Sequence, residues 1–291
     1  MIDRKKFLAY VRLIRFDRPI GTLLLLWPTL WALWIAAGGK PDTVIVAVFL
    51  LGVVLMRSAG CIINDYADRH VDPHVKRTAT RPLATGEITP REALTLFSIL
   101  SLTALGIVCL MNMLTIQLSV IAIILAVTYP YMKRYTHLPQ IHLGVAFGWA
   151  VPMSFAAQTE SVPMIGWLLF LNVVVWAVVY DTMYAMIDRD DDIRIGVKST
   201  AILFGNAELL WVGFFQIVFC LLLVLIGIYA FLSFYYFTGV GLAVGFSIYH
   251  QYLIRHRNRD ACLAAFLSNN WIGAVVFAGI MAHYAFTSHP E

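Results

Sequence analysis

Apolar residues fill the chain in blocks of about 20, the length a helix needs to cross the ~30 Å hydrocarbon core of a bilayer. The blocks fall near 20–37, 43–63, 92–110, 114–131, 139–157, 163–187, 207–231, 234–254 and 263–286, a pattern that predicts nine transmembrane helices. None alternates with the period of a strand. Backbone groups in lipid must also satisfy one another, so an all-α, polytopic bundle is the expectation. Ahead of the first block, Phe7 to Arg18 interleaves apolar with basic residues and predicts a helix lying in the membrane interface. The longest polar stretch, from Asn64 to Arg91, closes on Thr89-Pro90-Arg91-Glu92. A Thr N-cap followed by Pro at the first helical position starts a new helix there. One intramembrane domain, residues 1–291, with a small cytoplasmic cap made from the loops, accounts for the whole pattern.

Composition agrees with the pattern. The 291 residues are 60% hydrophobic and 13% charged, with a mean hydropathy of +0.77. An ordinary soluble domain carries about a quarter charged residues. Charge placement then gives orientation, because loops on the cytoplasmic side retain Lys and Arg. The N-terminal segment and the loops after the second, fourth, sixth and eighth helices, with the helix ends that border them, hold every Lys and Arg except Lys40. An odd number of spans therefore puts the N-terminus in the cytoplasm and the C-terminus outside. The net charge of +4 reports topology and says little about nucleic acid. Cys61, Cys109, Cys220 and Cys262 sit in or beside apolar spans with no CxxC spacing, and read as small core residues. Met1-Ile2-Asp3-Arg4-Lys5-Lys6 lacks the apolar core of a secretory signal.

Candidate chemistry concentrates at two places. Asn64, Asp65, Asp68 and Asp72 end one apolar block, and on helical geometry Asn64, Asp68 and Asp72 share a stripe. About 120 residues later Asp181, Tyr184, Asp188 and Asp192 repeat the pattern, with Asp190 and Asp191 between them. Oxygen-only donors suit a hard cation such as Mg2+, which usually completes its shell with waters and substrate phosphates. His70 and His74 lack the further imidazole or thiol that zinc would need. Carboxylates alone would repel an anion, but Lys76, Arg77, Arg81, Lys133, Arg134 and Lys198 stand in the same loops. Metal ions bridging the carboxylates to a diphosphate, with Lys and Arg neutralising the remainder, make electrostatic sense of both sets. A site at the border of a helix bundle suits a diphosphate with a long lipid chain, hence a prenyl diphosphate. No Ser-His or Cys-His arrangement points to a covalent intermediate.

These motifs carry a resemblance. Asn64-Asp65-x-x-Asp68-x-x-x-Asp72 and Asp181-x-x-Tyr184-Ala185-x-x-Asp188-x-x-x-Asp192 resemble the two signatures of the UbiA superfamily of intramembrane aromatic prenyltransferases, and Tyr129-x-x-x-Lys133 looks like its tyrosine–lysine motif. Arg18-Pro19-Ile20-Gly21-Thr22, Leu26-Trp27-Pro28-Thr29-Leu30-Trp31-Ala32, His74-Val75-Lys76-Arg77-Thr78 and Gly196-Val197-Lys198-Ser199-Thr200 look most like the branch serving ubiquinone synthesis in bacteria. The resemblance implies a nine-helix bundle in the bacterial inner membrane that uses Mg2+. It implies transfer of a polyprenyl group from polyprenyl diphosphate to the carbon ortho to the hydroxyl of 4-hydroxybenzoate. By motif, Asn64, Asp68 and Asp72 would hold one Mg2+ and Asp188 with Asp192 the other, with Asp65, Asp181 and Asp191 as further ligands or outer partners. Lys76, Arg77, Arg81, Lys133 and Lys198 would surround the diphosphate, beside Tyr129 and Tyr184. Arg134 or Arg15 would take the acceptor carboxylate. A naphthoate, a homogentisate or a haem as acceptor, or a cation-coupled transporter, are the alternative readings.

Overall fold

A computed structural model describes residues 4–75 and 77–287, and among them every regular element is helical. The order is α1 (Arg4–Leu13), α2 (Ile20–Ala36), α3 (Thr43–Asp68), α4 (Pro90–Val108), α5 (Met113–Tyr135), α6 (Pro139–Gly148), α7 (Ala150–Thr159), α8 (Met164–Ile195), α9 (Thr200–Phe204), α10 (Glu208–Tyr229), α11 (Phe234–Ile254) and α12 (Arg259–Phe286). Start signals in the sequence act as written. Thr89 accepts from the Glu92 backbone while Glu92 reaches back to the Thr89 N–H, closing a capping box at α4. Asp42, Asn112 and Asn258 cap α3, α5 and α12 by side-chain acceptance alone.

Six helical stretches are long and apolar enough to cross a membrane: α3, α4, α5, α8, α9 running on into α10, and α12. Length and hydropathy among the described residues thus give six spans where the apolar blocks predict nine. α2 is apolar but reaches only 17 residues. The block at 139–157 is two helices of 10 residues each, parted at Trp149. α11 has 21 residues, and polar Ser247 and His250 lie on its buried side facing α10 and α12.

α8 is the central post. It packs against α2, α6, α7, α10 and α12, and Trp176 at its middle stacks on Trp31 of α2 (centroids 5.3 Å apart) and on Phe219 of α10 (5.8 Å). All three rings are essentially fully buried. Their polar edges are satisfied inside the bundle: Trp31 Nε1 donates to the Gly273 carbonyl at 3.0 Å and Trp176 Nε1 to Asn269 Oδ1 at 3.1 Å, tying α12 to the same post. α11 and α12 pack closely because Gly239 faces the Val275 carbonyl, where a Cβ would sit 2.5 Å from the oxygen. Trp27 Nε1 bonding Asn270 Oδ1 at 2.8 Å closes α2 against α12 lower on the same face.

Candidate active site

α3, of 26 residues, and α8, of 32, both reach the polar end of the bundle and deliver the acidic motifs to it. Asn64, Asp65 and Asp68 occupy the last turns of α3. Asp72 does not continue their stripe, as helical spacing had predicted. The helix stops at Asp68, and Asp72 opens a single 3-10 turn, Asp72–His74. Pro73 is the physical reason, since in a continuing helix it would have no N–H to give to the Arg69 carbonyl and its ring would clash with that carbonyl. The bend folds Asp72 back so that it still meets Asp68. On α8 the helix runs unbroken to Ile195, so Asp181, Asp188 and Asp192 keep one face, and Gly196 ends it in a left-handed conformation (φ 74°).

The two acidic patches meet. A polar cleft of 160 Å³ is lined by Asn64, Asp68 and Asp72 from the first and by Asp181, Asp188 and Asp192 from the second. Arg77, Arg81, Lys133 and Lys198 line it too, with Tyr129 and Tyr184. Asp68, Asp72 and Asp188 are almost wholly buried, each held by a cation. Arg81 Nη1 donates to both oxygens of Asp72 at 3.1 and 2.9 Å. Arg77 grips Asp188 through Nε at 3.0 Å to each oxygen and also donates to the Tyr184 hydroxyl. Lys133 pairs with Asp68 Oδ2. Lys198 lies on the rim, its Nζ donating to the Tyr135 carbonyl at 3.2 Å. Lys76 lies outside the described residues.

Other expected residues stand around the cleft rather than in its wall. Asp65 is fully buried and bridges Arg15 (2.7 Å) and Arg81 (3.0 Å). Arg15 itself has a left-handed backbone, φ 57°. Arg134 donates to the Ala67 carbonyl at 2.6 Å and stands 3.8 Å from Asp68 Oδ1. Asp191 points to Arg259 (3.4 Å) and Arg194 (4.0 Å), and Asp190 to Arg259 (3.4 Å), which ties the end of α8 to α12.

The donor chemistry fits a hard divalent cation. All first-choice ligands are oxygens, and Asp68 Oδ1 is buried with no hydrogen-bond partner, an oxygen left for a cation to take up. Burial raises the pKa of Asp72 above the ordinary carboxyl value; Arg81 opposes the shift, and the neighbouring Asp68 and Asp65 reinforce it. Added positive charge would relieve that crowding. Among the described residues, no three His, Cys, Asp or Glu side chains already converge tightly enough to form a closed metal cage, because Arg and Lys occupy the carboxylates.

The cleft opens into an apolar cavity of 530 Å³ that runs inward between α2, α3, α4, α5 and α7. Asn64, Arg77, Arg81, Tyr129, Asp181 and Tyr184 line both, so one continuous space has an ionic end and a hydrocarbon end. One residue that the charge-topology reading had assigned to the helix ends projects into it. Arg57 lies near the middle of α3, 11 residues before Asp68, and its guanidinium sits over the Phe147 ring at 5.7 Å. Gly21 makes room for it: a Cβ there would fall 2.2 to 2.5 Å from the guanidinium. A single Arg inside an apolar 26-residue helix was the available signal.

The sequence pattern of the UbiA prenyltransferase family matches residues 25–273. The chain belongs to that family. A 4-hydroxybenzoate octaprenyltransferase of Methylococcus capsulatus is 58% identical over 276 residues, covering 95% of this chain and 94% of that protein. Among solved structures, the apo form of a UbiA homolog from Aeropyrum pernix superposes with a TM-score of 0.81 at 25% identity, covering 90% of this chain and 97% of the other. A UbiA homolog from Archaeoglobus fulgidus bound to GPP and Mg2+ gives 0.74 at 20% identity, covering 95% and 99%. The UbiA fold and the acidic motifs of α3 and α8 thus stand together in one integral membrane protein.

Proposed function

We propose that the protein transfers a polyprenyl group from polyprenyl diphosphate to the ring carbon ortho to the hydroxyl of 4-hydroxybenzoate, releasing diphosphate, as a step of ubiquinone synthesis. The observation that carries this reading is the single space with two ends: a cleft that both acidic motifs share, opening directly into a hydrocarbon cavity. The printed activity of the 58% identical relative supports the same acceptor.

Charge sets the roles. The cleft lining holds five carboxylates and four cations among the described residues, one formal negative charge in excess. A prenyl diphosphate adds about three more negative charges, and two Mg2+ ions would bring the assembly to neutrality. Asn64, Asp68 and Asp72 would hold one ion, and Asp188 with Asp192 the other; the Archaeoglobus fulgidus homolog bound to Mg2+ supports this use. Bound there, Mg2+ supplies electrostatic stabilisation of the departing diphosphate. Arg77, Arg81 and Lys133, now engaged with Asp188, Asp72 and Asp68, exchange those carboxylates for phosphate oxygens. Lys198 closes the outer side.

The allyl cation left behind would lie at the junction of the two ends, beside Tyr129 and Tyr184. Arg57 reaches the same junction from the hydrocarbon side. Because Arg15 is committed to Asp65 and Arg134 to the Ala67 carbonyl, Arg57 replaces them here as the cation for the acceptor carboxylate. The electron-rich ring attacks the cation, a carbon–carbon bond forms, and loss of the ring proton restores aromaticity. Asp181 is the one carboxylate among the described residues lining the hydrocarbon cavity and is placed to receive that proton.

The same reading gives nine crossings in one intramembrane domain: α2, α3, α4, α5, α6 with α7, α8, α10, α11 and α12. The cationic loops around the cleft put it on the cytoplasmic side of the bacterial inner membrane. The test is incubation of purified protein with Mg2+, a prenyl diphosphate and a panel of phenolic acids. Prenylated 4-hydroxybenzoate supports the reading. A product only with a naphthoate or homogentisate, or ion flux without diphosphate release, overturns it.

A further inference from the structure

Among the described residues that line the hydrocarbon cavity, two carry a buried hydroxyl with no hydrogen-bond partner: Ser101 on α4 and Tyr180 on α8. A serine can resolve this alone, by turning its hydroxyl to a carbonyl one turn back on its own helix, here that of Phe97. A tyrosine cannot, because its oxygen stands at the far end of a rigid ring. Tyr180 is 2% exposed, and its ring meets Trp176 edge-on at 90° with centroids 5.5 Å apart, and Phe266 at 6.2 Å. Trp176 is itself clamped between Trp31 and Phe219, so the ring of Tyr180 has no freedom to swing its hydroxyl elsewhere. A buried hydroxyl left unpaired costs stability, and phenylalanine would fill the same space without that cost. A partner that arrives with the substrate accounts for the oxygen.

Placement decides which part of the substrate that is. Tyr180 and Arg57 line the hydrocarbon cavity but not the ionic cleft, whereas Asn64, Tyr129, Asp181 and Tyr184 line both. Asp181 and Arg57 are the charged groups whose fields reach the Tyr180 hydroxyl. In 4-hydroxybenzoate the hydroxyl and the carboxylate stand at opposite ends of one flat ring. The carbon beside the hydroxyl has to meet the allyl cation at the junction, so the hydroxyl end stays there and the carboxylate end points toward the residues that line the cavity alone. A carboxylate accepts through two oxygens, and a single guanidinium does not exhaust their lone pairs. An O–H donor beside Arg57 adds a second charge-assisted hydrogen bond to the same group.

We propose that Tyr180 is a specificity-determining residue: its hydroxyl donates to the acceptor carboxylate that Arg57 holds, and the two together select a hydroxybenzoate over a phenol without a carboxylate. This rests on the prenyl-transfer reading above and deepens it. An acceptor lacking the carboxylate would enter with both donors left unpaired, and a site built around buried polar groups rejects such an analogue strongly.

The experiment is Tyr180→Phe, which removes one oxygen and keeps the ring against Trp176 and Phe266. Steady-state kinetics with Mg2+ and a prenyl diphosphate should show the KM for 4-hydroxybenzoate raised about tenfold or more, the loss expected for a hydrogen bond to a charged group. The KM for the diphosphate donor should stay within about twofold of wild type, as should turnover of phenol. The apparent Tm should not fall, because the hydroxyl has no partner within the fold to lose. An unchanged KM for 4-hydroxybenzoate, an equal loss with phenol, or a lowered Tm that reveals an internal partner overturns the proposal. If the wild type itself fails to prenylate 4-hydroxybenzoate, the functional reading fails and takes the proposal with it, a failure that the wild-type control separates from one confined to Tyr180.

Discussion

Replacing Arg57 by Met removes one charge while keeping an apolar stem of similar length over Phe147. Arg57 lines the hydrocarbon end of the cavity, where on the proposed reading its guanidinium would meet the acceptor carboxylate. A charge-assisted hydrogen bond of this kind contributes about 1.5–3 kcal/mol, and a two-point carboxylate contact lies at the upper end of that range. At 1.4 kcal/mol per factor of ten, a loss of about 3 kcal/mol predicts a rise in KM for 4-hydroxybenzoate of about a hundredfold. The KM for the diphosphate donor should hold, because Arg57 is absent from the wall of the ionic cleft. The assay is steady-state kinetics with each substrate varied in turn, repeated with phenol as an acceptor that has no carboxylate. With phenol, wild type and variant should converge. An unchanged KM for 4-hydroxybenzoate, or an equal loss with phenol, would refute the assignment.

Further outcomes follow from the same geometry. Gly21→Ala places a Cβ within 2.5 Å of the Arg57 guanidinium and must displace it, so it should raise the KM for 4-hydroxybenzoate in the same direction as the Arg57 change, read by the same kinetics. Asp68→Asn or Asp188→Asn should abolish product formation while circular dichroism and size-exclusion profiles in detergent stay those of the wild type; normal turnover by either would remove the metal assignment. Stripping divalent cations with EDTA should stop the reaction, and Mg2+ alone should restore it. Glu208 is 1% exposed and pairs with Arg257 and Arg189, so Glu208→Gln should cost stability. Arg257 is 43% exposed, which reduces the ~3–5 kcal/mol of a fully buried pair to about 2 kcal/mol, measured as a lower apparent Tm of the purified protein.

How much of this was legible in the chain depended on whether the signal was local. Hydropathy alone located the apolar blocks, and Thr89-Pro90-Arg91-Glu92 marked a helix start correctly, because a capping box is complete within four residues. Breaks were harder to see. Trp149 interrupts 139–157 without any change in hydropathy, and α11 hides polar Ser247 and His250 against its neighbours, a matter of tertiary contact that a window average reads only as weaker apolar character.

The site shows the same division more sharply. Asp68 and Asp188 could be placed near each other only by assuming that two motifs 120 residues apart, on α3 and α8, meet at one end of the bundle. The shared cleft supplies that meeting, but it also sorts residues that looked alike in sequence. Asp191 and Asp192 are neighbours, yet on a helix they diverge by about 100°: Asp192 lines the cleft, whereas Asp191 turns to Arg259. Arg57 is the opposite case. Counted as a helix-end charge it served topology; located 11 residues before Asp68, in a helix that rises about 1.5 Å per residue, it lies about 16 Å deep, where a charge retained solely for orientation would cost desolvation without return. Its position over Phe147, in space that a Cβ at Gly21 would close, is the observation on which the proposed acceptor assignment rests. An arginine at that depth that proved indifferent to the acceptor carboxylate would leave the cavity a lipid slot, with no structural reason for 4-hydroxybenzoate in preference to any other phenol.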